Sequence, residues 1–330
     1  MSLPPSEIPQ GAIRFNTDSQ KLEFYAQGEW WNMVTEETQT VGSRGLLAGG
    51  YTPGNSDVID YFLFNSLGSA VDFGDLSLAR YDMPGTVSSP TRGVFCGGYN
   101  QPIKSDRIDY VTIATTGNAI DFGNMLTLRN AVSNASSATR GVFMGGYAPT
   151  ITNAVEFITI ASTGNAQDFG DLFQQTRNGG ACASPTRGII AGGNDGAFTN
   201  EIQYITIASQ GVTSQDFGDL SAGKQTAYGG SNNIRGVFSH GIQPATGNTA
   251  EFITIATLGN SQVFGDLTTS LNHTSGVGSQ TRMVFAGGAS PHPATMQYHE
   301  IVTTGDFQNF GDLTVSRGSI ATASNCHGGL

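Results

Sequence analysis

One short phrase returns six times along this chain, so any fold it adopts must accommodate six like units. RGLLAGGY begins at Arg44, RGVFCGGY at Arg92, RGVFMGGY at Arg140, RGIIAGGN at Arg187, RGVFSHG at Arg235 and RMVFAGG at Arg282. Successive copies stand 48, 48, 47, 48 and 47 residues apart. A second phrase keeps step with the first: DFGDL at Asp72, DFGNM at Asp121, DFGDL at Asp168 and Asp216, VFGDL at Val263 and NFGDL at Asn309. A period of this size marks a supersecondary unit that buries its apolar surface only against its neighbours.

Each unit reads as four short strands. A small-residue strand such as NAVSNASSAT (130–139) comes first, and a turn at Arg140-Gly141 leads into an apolar strand ending in Gly-Gly. After a variable loop, VEFITIAS alternates in the manner of a half-buried strand, Thr163-Gly164-Asn165 turns the chain, and QDFGDL closes the unit. The 45 glycines and the 12% charged residues suit tight turns and short strands better than long helices. Four antiparallel strands per unit, six times over, predict an all-β fold, a six-bladed β-propeller of four-stranded blades.

Small residues are expected in the first strand because strands crowd at the axis. The Val-Phe pair of the second strand and the Phe of each DFGDL block (Phe73, Phe122, Phe169, Phe217, Phe264, Phe310) are expected to pack between blades. Asp75, Asp171, Asp219, Asp266 and Asp312 are expected to cap turns, a role that Asn124 can share. The repeats open at Arg44 without a first strand, and SIATASN near the C-terminus supplies one, with His327-Gly328 where Arg-Gly stands elsewhere. The ring should therefore be closed by strands from both ends of the repeat region, leaving no open sheet edge.

The chain divides into an N-terminal β-meander (1–35), a polar linker (36–43) and the propeller (44–330). AIRFN, KLEFYA and WWNM would form three strands with Ile13, Phe15, Leu22, Phe24 and Trp30 or Trp31 on one apolar face. So small a module cannot cover that face alone. It must pack on the propeller, on a second copy in a homo-oligomer, or on another protein; Phe15, Phe24, Trp30 and Trp31 are the candidate attachment residues.

A formal charge of −11 repels phosphate and argues against nucleic acid as a partner. No apolar run is long enough to insert in a membrane, and the opening MSLPPSEIPQGAIRF has no secretory pattern, which predicts synthesis in the cytoplasm. Cys96, Cys182 and Cys326 are too scattered for a metal or redox motif and read as buried or free thiols.

Catalytic motifs are absent: no P-loop, GxSxG, HExxH or Cys-His cluster occurs. The five histidines (His240, His273, His292, His299, His327) fall in the last third without metal-ligand spacing, and no cofactor or metal is expected. The aspartates repeat in every unit, whereas a catalytic pair would break the repeat. The units differ in the loop after Gly-Gly, and all six such loops should crowd one face. Tyr51, Tyr99, Tyr147, Asn194, Phe198 and His292 are the binding candidates there; the tyrosines suit sugar stacking, partner contact or simple capping of strand ends.

Residues 44–330 resemble kelch-type propellers in the Gly-Gly after an apolar strand and in repeat length, although Phe stands where the kelch outer strand carries Trp. Residues 10–34, QGAIRFNTDSQKLEFYAQGEWWNMV, resemble a module of bacteriophage tail-fibre and other virion structural proteins. The ITIATTGNA and DFGDL repeats resemble those of structural proteins of phages of marine cyanobacteria. The resemblance implies a non-enzymatic virion structural protein: a fibre, tail or capsid appendage. The N-terminal module would join other virion proteins, and the propeller would meet a host-surface glycan, a receptor or a neighbouring virion protein. The alternative is a carbohydrate-active kelch-like enzyme or lectin acting on surface glycans. A cellular interaction propeller would be expected to carry an adaptor domain.

Overall fold

The computed structural model describes residues 8–16, 21–32, 43–83, 86–243, 245–289 and 291–326. They form two compact units, Met1–Gly42 and Ser43–Leu330. The expected linker lies largely, and His327-Gly328 entirely, outside the described residues.

The second unit is a six-bladed β-propeller. Blade 2 runs from the axis outward as Val87–Ser88, Arg92–Cys96, Arg107–Thr112 and Ile120–Asn124, all antiparallel. Blades 3 to 6 repeat this order, beginning at Ser133–Ser136, Gly180–Ala183, Gly229–Ser231 and Ser275–Gly278. Blade 1 takes its inner strand, Ala321–Ser324, from the end of the chain and adds Arg44–Ala48, Val58–Leu63 and Val71–Asp75. Among the described residues, blade 3 alone gains a parallel outer edge, Val212–Thr213, lent by blade 4.

Six apolar clusters fill the gaps between successive blades. Phe73 of blade 1 packs with Phe95, Val111 and Ile113 of blade 2, and Phe310 of blade 6 packs with Leu47, Phe62 and Phe64 of blade 1. All six DFGDL-type phenylalanines are buried, as expected. Val94 and Phe95 point to opposite sides of their strand and so enter two different clusters. The inner strands are buried, and their hydroxyls bond across blades: Ser136 Oγ to Ser88 O at 3.1 Å, Ser231 Oγ to Ala183 O at 2.8 Å, Thr322 Oγ1 to Gly276 O at 2.7 Å. Serine and threonine are thus needed at the axis for hydrogen bonding as well as for size. A cavity of about 40 Å³ remains among the inner strands, room for a few water molecules at most.

The arginine of each repeat is a clasp. Its Nη1 donates to a carbonyl of the next blade: Arg44 to Ile113, Arg92 to Ile160, Arg140 to Ile207, Arg187 to Ile255, Arg235 to Ile301 and Arg282 to Phe64, at 2.5–3.0 Å. Each guanidinium also stacks 4.3–5.0 Å from the ring of Tyr61, Tyr110, Phe157, Tyr204, Phe252 or Tyr298. The turn expected at Arg140-Gly141 lies earlier, over Ser137–Thr139, because Ser137 Oγ accepts from the Arg140 N–H and leaves Arg140 free to start the strand. In blade 1 the two chain ends replace this turn, and Asn325 Oδ1 accepts from the Arg44 N–H at 2.7 Å.

A further repeat is electrostatic. Arg80–Asp109, Arg129–Glu156 and Arg317–Asp60 are ion pairs of 2.9–3.0 Å with fully or almost fully buried side chains, and Lys224 pairs with Glu251 in the same place. In blades 4 and 6 the cation is replaced by Thr176 or Leu271, and the acid by Gln203 or Gln297. Both charges vanish together, as they must where an unpaired buried ion would be costly.

The expected turn capping by the DFGDL aspartates is corrected. The backbone N–H groups of Asp75, Asn124 and Asp219 are capped by Asn118, Asn165 and Asn260 of the following blade, at 3.0–3.1 Å. The reason is the preceding glycine. Gly74 has φ 144°, and a Cβ there would lie 2.6 Å from the Gly117 carbonyl, so the outer strand and the next blade's turn touch backbone to backbone.

The first unit contains a three-stranded meander, Ile13–Asn16, Lys21–Ala26 and Glu29–Asn32. Ile13 pairs with Phe24, Phe24 with Trp31, and Phe15 with Leu22, which places all five on one face. Trp30 belongs to the other face, where it packs on Tyr25 and under Arg14. Alternation along the strand decides between the two tryptophans.

Candidate functional site

The loops after Gly-Gly and the connections between blades meet on one face of the propeller. Backbone bridges join Tyr51 to Gly318, Tyr99 to Tyr81, Tyr147 to Asn130 and Asn194 to Arg177, one per blade. The three tyrosines and Asn194 therefore do cap strand ends through their backbones, while their side chains remain half-exposed on the face. Phe198 is exposed and bridges back to Asn194 within its own loop.

Side chains sort these residues into two groups. Tyr51 packs at a tilt against Tyr81 (5.0 Å between centroids) and His292 (5.7 Å), and Tyr81 meets Tyr99 edge to face (5.6 Å). The four form a continuous aromatic strip across blades 6, 1 and 2. Tyr147 stands apart, with Lys104 Nζ 3.8 Å and the Arg177 guanidinium 4.9 Å from its ring.

Nearer the axis is a ring that the loop sequences did not reveal. Asp82, Ala131, Asn178, Thr226, His273 and Ser319 occupy the same place in successive blades, each with φ between 53° and 59°. Left-handed backbone is unfavourable for such residues and persists only where its surroundings hold it. Here backbone bonds from one blade's position to the next hold four of the six: Ala131 N–H to Asp82 O, Asn178 to Ala131, Thr226 to Asn178 and Ser319 to His273, at 2.8–3.1 Å.

The ring's side chains break the sixfold repeat completely. Asn130 Nδ2 donates to Asp82 Oδ2 at 2.5 Å, Tyr228 hydroxyl to Asn178 Oδ1 at 3.2 Å, and Ser319 Oγ lies 3.0 Å from His273 Nδ1. Asp82 Oδ1 and Thr226 Oγ1 are shut off from solvent with no partner. Burial pushes the Asp82 carboxyl up, against His273, Asn130 and Arg177, which draw it down. Burial also pushes the His273 imidazole down and the Tyr228 phenol well up. A buried carboxyl, imidazole and phenol from three blades thus share one electrostatic neighbourhood.

The signal for this ring was present in the sequence as a position where six otherwise similar repeats carry six different residues. Reading it required knowing that this position faces the axis. Among the described residues, no three His, Cys, Asp or Glu side chains are placed to share a metal ion, and no helix is long and apolar enough to cross a membrane. Cys96 and Cys182 are buried free thiols, with Cys96 pushed up to about 12 by burial. No family model matches this chain, and no curated protein matches it.

Proposed function

We propose that this chain is a non-enzymatic structural protein of a phage particle, a fibre, tail or capsid appendage that displays the propeller's loop face. The observation that carries the reading is the apolar face of the N-terminal meander. Ile13, Phe15, Leu22, Phe24 and Trp31 are 36–62% exposed on one side of a separate small unit. A face of this kind is a contact surface for another protein. It lies in the segment whose sequence resembles virion attachment modules. In this role the meander joins other virion proteins, and the loop face meets the host surface or a neighbouring subunit.

Gold-antibody labelling of phage particles that carry this chain tests the reading. Label on fibres, tail or capsid is expected. Particles without label would overturn it. A second reading, an enzyme or lectin acting on surface glycans, is favoured by the Asp82–His273 neighbourhood at the axis. Turnover on a glycan panel, abolished by Asp82→Asn, would favour that second reading.

A further inference from the structure

Basic side chains are scarce in this acidic protein, and nearly all have an assigned partner. Six are interblade clasps, four neutralise buried acids, and Arg14 and Arg107 pair with Glu23 and Asp109. Among the described side chains, that leaves Lys104 and Arg177, which have no carboxylate partner and lie on the same tyrosine ring. Lys104 bonds only the Ala148 carbonyl, and Arg177 Nε is buried with no partner. Burial lowers the Lys104 ammonium pKa, and Arg177 lowers it further. Two cations held together on a loop face without an ion pair, Arg177 sharing only the longer-range field of the buried Asp82 carboxyl, form a site that an anion would complete.

The surroundings narrow the class of anion. Beside Lys104 lies a shallow, open apolar patch formed by Tyr99, Pro102, Ile103, Leu128, Ala148 and Pro149, with Ile103 65% and Leu128 51% exposed. Its apolar surface suits a small acyl group better than a second charge. Tyr99, which belongs to this patch, is also the end of the aromatic strip through Tyr81 to Tyr51, whose ring faces suit the apolar faces of pyranose rings. The short strands of this loop, Tyr99–Asn100 and Ile103–Lys104, already pair with each other, so an extended peptide finds no vacant edge between them.

We propose that the loop face holds a subsite for an N-acylated acidic sugar. Its carboxylate sits between Lys104 and Arg177 beside Tyr147, its acyl group against the open Ile103–Leu128 patch, and the following sugar units along Tyr99, Tyr81 and Tyr51. This rests on the loop face being a contact surface and names the ligand class it takes.

The test is an NMR titration of the full chain with four probes: N-acetylneuraminic acid, glucuronic acid, N-acetylglucosamine and a tetraglutamate peptide. N-acetylneuraminic acid is expected to bind tightest, with affinity falling several-fold between 50 and 500 mM salt as screening grows. Lys104→Ala and Arg177→Gln are each expected to weaken it about tenfold, the scale of one charge-assisted contact. Leu128→Ser is expected to bring it down to the level of glucuronic acid. All three substitutions lie outside the interblade clusters, and an unchanged melting temperature verifies the fold. Equal binding of N-acetylglucosamine, tighter binding of the peptide, no binding of any probe, or unchanged affinity in both charge variants would overturn the proposal. Loss of the subsite with particle labelling intact would leave the virion reading standing; loss of labelling would remove that reading whatever the sugars do.

Discussion

Asp82 shows what a single side chain costs and why it is informative. Burial holds its carboxyl above the ordinary value, so the charged form is less favourable in the folded chain than in the unfolded one. That penalty is present at neutral pH and disappears as pH falls below the unfolded value of about 3.9. Asp82→Asn keeps an oxygen to accept from Asn130 and removes the charge. It is expected to raise the melting temperature by about 1–3 °C at pH 7, with the gain vanishing near pH 3. Thermal unfolding at both pH values checks this, and an equal gain at both would remove the electrostatic explanation. A residue retained at a stability cost is a natural marker of a site. Arg140 is the opposite case. Its bond to Ile207 and its stack on Phe157 join two blades, and Arg140→Ala is expected to cost about 1.5–3 kcal/mol in urea unfolding. Arg140→Lys should recover only part, since a compact ammonium cannot both stack flat and reach the carbonyl.

The blade is the element that repeats, and its internal variation amounts to a set of natural mutants. Four blades carry a buried cation–acid pair, while blades 4 and 6 carry Thr176 with Gln203 and Leu271 with Gln297. Gln203 still serves the local backbone, its Oε1 accepting from the Gln174 N–H and its Nε2 donating to the Gln174 carbonyl. Transplanting blade 4's solution into blade 3 is therefore a fair test. Arg129→Thr and Glu156→Gln should each destabilise by about 3–5 kcal/mol, because each leaves one charge or its hydrogen-bonding shell unmatched. The double variant should be less destabilised than the sum, with a coupling of about 1–3 kcal/mol in a double-mutant cycle. Additive losses would show that the pair is not the unit of stability. The four-strand pattern, the buried phenylalanines and the small inner strands were legible in the sequence because they follow from period and size. The ion pairs were not, because the cation sits in the connection leading into a blade and the acid on that blade's third strand, 27 to 29 residues later, or across the chain ends for Arg317 and Asp60, and only the fold brings them together.

For the molecule as a whole, closure is the decisive event. Arg44–Ala48 pairs with Ala321–Ser324, Asn325 caps Arg44, and Arg282 clasps Phe64, so the first and last blades are joined by the same kinds of contact as any other two. Deleting residues 317–330 removes the inner strand of blade 1 and unpairs Asp60. It exposes a sheet edge, and it is expected to cause aggregation or a loss of cooperative unfolding. A truncated chain that melts at the same temperature with the same cooperativity would refute the role of closure.

Six repeats in one phase, small residues in the first strand and a matching fragment at the C-terminus were enough for the sequence by itself to determine a closed six-bladed propeller. Periodicity and side-chain size are local properties, and a ring of like units follows from them. The sequence also singled out Tyr51, Tyr99, Tyr147 and Asn194 as loop-face positions, since loop variability is visible along the chain. It could not place Asp82, His273 and Ser319 in one ring, set Lys104 and Arg177 on the same tyrosine, or turn Trp31 rather than Trp30 to the apolar face. Those are matters of angle and distance between blades or across strands. Only the tertiary structure decided them, because backbone dihedrals, strand register and ring closure together bring residues remote in the chain within reach of one another.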